Sequence, residues 1–248
     1  MLKRNYFILL IALALLIISG IGYTVHYLIF NDIHHIFIYL FGDLAFLPLQ
    51  VLLVVIIIER VLAHRDRQDK LQKLNMVVGG FFSEVGNHLL ESLLEQFNNH
   101  EEIAQHLNIS EKWTKDDFRK AAKYAYPLKV DVDCHHVDLN SLKTYLSQKR
   151  PFVLTLLGNP NLMEHDAFTD LLWALTHLDE ELEARPYLIG LPDKDLAHLS
   201  VDIERCYDHL SSVWLSYVEN TKSKYPYLYS LILRTHPFQK NRSPIVSK

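Results

Sequence analysis

Two stretches of this chain carry no Asp, Glu, Lys or Arg: Phe7 to Tyr27, and Leu44 to Ile58. An α-helix rises ~1.5 Å per residue, so roughly 20 apolar residues cross the ~30 Å hydrocarbon core of a bilayer. The two stretches therefore predict a transmembrane hairpin over residues 1–62, with spans at about 6–28 and 38–60. Lys3 and Arg4 precede the first apolar run, as they would in a secretory signal. The run is too long for a signal core, and Ser19-Gly20-Ile21-Gly22 makes a poor cleavage site, so an anchor is expected. The turn between the spans is short and polar: Asn31, Asp32, His34 and His35.

Basic residues set the orientation. No Lys or Arg lies between Arg4 and Arg60, whereas Arg60, Arg65, Arg67, Lys70 and Lys73 follow the second span. Positive charge flanks both ends of the hairpin and is missing from its loop, which places both termini in the cytoplasm. Asp43 and Gln50 interrupt the second span. A single hairpin offers little wall for a pore, so Asp43 is expected at the headgroups and Gln50 against the first helix. An oligomeric channel or transport component is the alternative reading of the same two residues. Arg65, Arg67, Lys70 and Lys73 alternate with Asp66 and Asp69, which makes them a topology signal before a lipid-headgroup site.

Beyond Arg60 the composition changes to that of a soluble protein. The net charge of −4 belongs to this part, because Lys3, Arg4 and Arg60 offset Asp32, Asp43 and Glu59. A mildly acidic domain argues against nucleic acid as a partner, since phosphate recognition needs clustered Lys and Arg. The two cysteines, Cys134 and Cys206, do not make a disulfide framework.

Residues 63–97 read as a juxtamembrane helix, or neck. Leu71, Leu74, Val78, Phe81 and Val85 recur at the three- and four-residue steps of a coiled-coil seam, interrupted by Gly79-Gly80. Phe82, Leu89, Leu93 and Phe97 widen the stripe. This face is expected to pack on the domain or on a second protomer, and the glycines to permit close approach or a kink.

Residues 98–238 read as a cytosolic helical bundle, which makes the whole chain all-α. Thr114 caps a helix through Ala125, and Pro127 ends it. Leu128 to Val132 alternates and is expected to form one short strand. Asp138 caps a helix over 139–148, and Pro151 starts another that Gly158-Asn159-Pro160 ends. Two long helices follow, Asp166 to Ala184 and Asp193 to Lys224, then a last short one from Tyr227 to Arg234. Residues 239–248 are expected to be a flexible tail.

The chain lacks a phosphate-binding Gly-rich loop, a Cys-x-x-Cys pair, His-Glu-x-x-His and Gly-x-Ser-x-Gly. No cofactor is therefore assigned. Asp131-Val132-Asp133-Cys134-His135-His136 looks liganding but reads as an exposed loop. His165-Asp166 resembles the doublet of the all-α HD phosphohydrolases, a doublet that chance supplies in a chain with 14 histidines. Two helical stripes have chemical content. Asp170, His177 and Glu181 share one face of the first long helix; His198, Asp202, Arg205 and His209 share one face of the second. If the helices were neighbours, Asp170, His177, His198 and Asp202 could converge on a metal ion. Each stripe lies opposite the apolar face of its own helix, so solvated surface is the competing reading. Convergence would require a third layer, for which Trp173 is the one indication.

Four stretches resemble a group of uncharacterised prokaryotic membrane proteins with two transmembrane helices. They are Gly42-Asp43-Leu44-Ala45-Phe46-Leu47-Pro48, the run from Leu74 through Val77-Val78-Gly79-Gly80-Phe81-Phe82 to Gly86, Phe168-Thr169-Asp170-Leu171-Leu172-Trp173-Ala174, and Tyr225-Pro226-Tyr227-Leu228-Tyr229-Ser230-Leu231. The resemblance implies a prokaryotic plasma-membrane protein and carries no activity. The expected function is a membrane-anchored helical module that binds a partner or transmits a signal, as a homodimer through hairpin and neck. The alternative is a metal-dependent hydrolase or oxidoreductase.

Overall fold

The computed structural model describes residues 2–159, 162 and 165–246, and among these no strand occurs. The side chains of Lys3, Arg4, Arg67, Lys70 and Leu71, used above for topology and seam, lie outside the described set, as does Pro160. The chain divides into two compact units, Met1–Arg67 and Gln68–Lys248.

The first unit holds α1 (Leu2–Phe30) and the first part of α2 (Ile33–Phe81). The turn between them follows from two residues. Asn31 takes a positive φ of 52°, a conformation Asn tolerates better than most residues, and stops α1. Asp32 Oδ1 accepts the N–H groups of His34 and His35 at 2.8 and 3.4 Å, which caps α2. Leu9–Phe30 and Ile33–Asp66 are long and apolar enough to cross a membrane, and neither span is buried within the chain. Pro48 lies inside α2, where it removes one backbone donor. Next to the turn, His26 Nε2 lies 3.3 Å from His35 Nδ1. Asp43 lines the same cleft, while Gln50 makes no hydrogen bond to α1 among the described residues.

In the second unit, the end of α2 runs into a π-helical turn (Phe82–Gly86) and then α3 (Asn87–Leu94). The sequence explains the wide turn. Buried pairs recur every four residues, at Phe81-Phe82, Val85-Gly86, Leu89-Leu90 and Leu93-Leu94. In an α-helix a four-residue step overshoots a full turn by about 40°. The wider π turn rotates less per residue and returns the pairs to one face. The neck seam expected for a coiled coil is thereby absorbed by the chain's own core: Leu74, Val78, Phe81 and Val85 are all buried there. A Cβ on Gly79 would lie 3.1 Å from the Tyr217 ring, so this glycine does permit close helix approach.

The remaining helices are α4 (His100–Leu107), α5 (Lys115–Ala125), α6 (Leu139–Leu157), α7 (Asp166–Ala184), α8 (Asp193–Lys224) and α9 (Pro226–Thr235). α8 is central. It packs against α3, the π turn, α5, α7 and α9, while α6 covers the far side of α7. Its buried residues accordingly cover more than half of its circumference, from Asp202 through Leu199, Ile203 and Tyr207 to Ser211 and Leu215. Aromatic edges knit α8 to the neck: Phe82 stacks on Tyr217 at 5.5 Å, and Phe97 meets Tyr207 edge-on at 4.8 Å.

Several expectations need correction. Residues 128–132 form no strand, because no second strand among the described residues offers a ladder. Side chain and backbone of the 98–99 turn satisfy them instead: Asn98 N–H donates to Asp131 O, Asp131 N–H to Asn99 Oδ1, and Asn99 Nδ2 to Lys129 O, at 2.8–3.0 Å. The two helices expected on either side of Pro151 are one, α6. Its buried stripe, Leu142, Leu146, Val153 and Leu156, stays in phase across the proline, so burial outweighs the lost hydrogen bond. α4 was not foreseen, although Ile103 and Leu107 sit at helical spacing and are buried. The segment expected to be a tail from 239 onward makes specific contacts: Ser243 N–H donates to Arg234 O at 3.0 Å, and Arg242 pairs with Glu91. The caps at Thr114 and Asp138 are as read, Thr114 forming a full capping box with Asp117.

Candidate functional site

The structure brings the two polar stripes together at the edge of the α7–α8 contact, and α6 on the other side of α7 supplies the third layer that convergence was expected to require. Trp173, the one indication of such a layer, is 61% exposed. Asp202 is nevertheless 2% exposed. The expectation that this whole stripe faces solvent fails at Asp202, because α8 is packed from so many sides that only a narrow strip remains open.

His177 Nε2 lies 3.6 Å from Asp202 Oδ1 and 3.9 Å from Glu181 Oε1. His198 Nε2 lies 3.3 Å from Asp202 Oδ2 and 3.7 Å from Glu181 Oε2. Two arginines close the ends. Arg205 Nη1 donates to Asp202 Oδ1 at 2.7 Å, and Arg185 donates to Glu181 Oε2 at 2.7 Å and to both oxygens of Asp195. The hydrogen bond from Arg185 holds the carboxyls of Glu181 and Asp195 below their ordinary range, and the Arg185 charge adds to it at both. The Cys206 thiol, one turn beyond Asp202, is pushed up to about 12 by full burial and by the Asp202 charge, which makes it inert.

Of the four residues expected to converge, His177, His198 and Asp202 do so. Asp170 is exposed, two turns earlier on α7, and its charge acts on His209 instead. Glu181 takes its place. The sequence carried that signal, since Glu181 stands four residues after His177 on the same face. It also carried Glu181 and Arg185 at the ion-pairing spacing, though nothing in it joined Arg185 to Asp195 across the helix–helix turn. The other candidates have structural roles. His165 Nδ1 accepts the Phe168 N–H at 3.1 Å and caps α7. Asp133 accepts from the His135 backbone and contacts the His136 ring at 3.0 Å, in an exposed loop.

A chain of this kind, two long apolar helices and a compact helical domain, defines an architectural class without an activity. Comparison with known proteins places it more closely. Residues 3–62 match the family described as MJ1433, N-terminal helical domain, and residues 70–234 match Uncharacterized protein MJ1433, C-terminal helical domain. The chain belongs to this family. It is 42% identical over 242 residues to the uncharacterised protein MJ1433 of Methanocaldococcus jannaschii, covering 98% of this chain and 97% of that one. No solved structure matches it.

Proposed function

We propose that this chain is a membrane-anchored helical module of a prokaryotic plasma membrane. α1 and the apolar part of α2 cross the bilayer as a hairpin, both termini are cytoplasmic, and the domain from Gln68 onward binds a protein partner or transmits a signal. One observation carries the reading. Two consecutive apolar helices bury none of their spans in the chain, while the same chain buries its other apolar stripes thoroughly. Apolar surface on that scale needs lipid or another protein to cover it. Exposed Trp173 adds to the reading, because Trp is enriched among the residues that dominate protein–protein binding. A second copy is the first partner to consider. It would meet the chain through the hairpin, since the neck seam is already buried in its own core.

Membranes carrying the full chain are washed with alkaline carbonate, and a form starting at Gln68 is handled in parallel. The full chain is expected to stay in the membrane and the shorter form in the supernatant. In detergent, light scattering is expected to give a dimer for the full chain and a monomer for the shorter form. Release of the full chain by carbonate would overturn the anchor, and a monomeric full chain would overturn the dimer.

A further inference from the structure

At the gap between α7 and α8, Glu181 and Asp202 each give one oxygen to an arginine, and the other oxygen of each lies near an imidazole, Glu181 Oε1 3.9 Å from His177 and Asp202 Oδ2 3.3 Å from His198. Arg185 takes Glu181 Oε2 and Arg205 takes Asp202 Oδ1. Asp202 Oδ2 is left without a hydrogen bond among the described residues, although Asp202 is 98% buried. An unpaired buried carboxylate oxygen is costly, so something positive belongs in that gap.

The imidazoles do not close it. Their contacts with the two carboxylates run from 3.3 to 3.9 Å, whereas charge-assisted hydrogen bonds settle near 2.7–2.9 Å. The spacing fits a shared ion better. With metal–ligand distances of about 2.0–2.2 Å, two ligands at a tetrahedral angle sit roughly 3.3–3.6 Å apart. The ligand atoms of His177, Glu181 and Asp202 already lie within 4.8 Å of one another. Charge points the same way. With neutral imidazoles, the carboxylates of Glu181, Asp195 and Asp202 outnumber the guanidiniums of Arg185 and Arg205, leaving the cluster net negative.

We propose that His177, Glu181 and Asp202 bind one divalent first-row transition cation, with His198 closing in as the fourth ligand. Two imidazole nitrogens and two carboxylates suit Zn²⁺, Mn²⁺ and Fe²⁺, and the absence of thiolate ligands disfavours Cu⁺. The arginines orient the carboxylates from outside, as outer partners of metal ligands do. His177 and His198 are half-exposed, with side chains 47% and 52% accessible, so the ion exchanges with solvent. The ion joins two helices that are already packed, and the proposal stands whether or not the hairpin spans a membrane.

The test uses the full chain, purified in detergent, stripped with chelator and titrated calorimetrically with Zn²⁺ and separately with Mn²⁺. Asp202→Asn, His177→Ala and the control Asp170→Asn are measured alongside. One equivalent of at least one cation is expected to bind the parent and Asp170→Asn equally. Binding is expected to weaken at least about tenfold in Asp202→Asn and His177→Ala. The bound ion should raise the melting temperature of the parent and not of those two. If Asp202→Asn does not fold, His177→Ala decides alone, since its side chain is half in solvent. Absence of saturable binding of either ion, or undiminished affinity in His177→Ala, would overturn the site. The second result would assign the ion to exposed histidines such as His135 and His136.

Discussion

Acid should destabilise the second unit through His236. This ring is 2% exposed and packs against Trp214 and Phe238, at centroid distances of 5.8 and 6.5 Å. Neither ring nitrogen has a hydrogen-bond partner among the described residues. Burial holds the imidazole neutral and the Arg242 charge acts in the same direction, lowering its pKa from 6.5 to about 4. In the unfolded chain the ring takes up a proton as pH falls through 6.5; in the folded chain it does so only near 4. The unfolded state therefore binds more protons across that window. Above pH 6.5 both states are neutral and the ring's full contribution is present. Below it, stability falls by about 1.4 kcal/mol per pH unit, or about 3 kcal/mol by the lower end. His236→Phe removes the titration and keeps an aromatic ring between Trp214 and Phe238. Urea unfolding of the full chain in mild detergent, followed by Trp fluorescence, reads the difference. Relative to the parent, the variant should gain about 2 kcal/mol between pH 7 and pH 5. The pairwise comparison removes the acid lability of Asp116, Asp117 and Asp138, whose lowered pKa values act equally in both chains. Parallel stability–pH profiles for parent and variant would refute the reasoning.

The glycines of the neck should respond in opposite directions. A Cβ on Gly80 meets nothing within 4 Å, so Gly80→Ala should stabilise by about 0.5–1 kcal/mol. A Cβ on Gly86 would sit 2.8 Å from Phe82 Cε1 and closer still to its Cδ1, with Phe81 behind, so Gly86→Ala should cost about 1–3 kcal/mol. Thermal melts of the two variants check both signs. Arg150 donates to Asp179 Oδ2 at 2.5 Å, and Asp179 is 4% exposed, so Arg150→Met leaves a buried carboxylate unpaired. A loss of about 2–3 kcal/mol is expected, less than for a fully buried pair because Arg150 itself is one-third accessible. Arg150→Met with Asp179→Asn should recover most of it.

Much of the helical architecture was legible because its signals are local. Thr114 and Asp138 cap their helices through atoms three residues away. What escaped the sequence depends on neighbours. Pro151 reads as a helix start, and only the shared stripe of Leu146 and Val153 against α7 keeps the helix running through it. Leu128 to Val132 alternates like a strand, but pairing needs a second strand that the fold does not supply. The four-residue repeat of buried pairs was visible as a wide stripe, yet its consequence, a π turn at Phe82–Gly86, requires all those pairs to meet a single core. At the candidate site, helix periodicity found His177, His198 and Asp202. It overestimated the exposure of Asp202, because periodicity on one helix says nothing of how many partners surround it. Replacing Asp170 with Glu181 required the stagger of α7 against α8.

The hairpin anchors the proposed module, and membrane topology reports it most directly. Reporter fusions made after residue 32 and after residue 75 of the full chain each give a signal on only one side of the membrane. Basic residues flank both apolar spans and none lies between them. The fusion after residue 32 should therefore report the external side and the fusion after residue 75 the cytoplasm. Both fusions reporting the same side would contradict the two-span anchor, and with it the membrane-anchored module proposed for this chain.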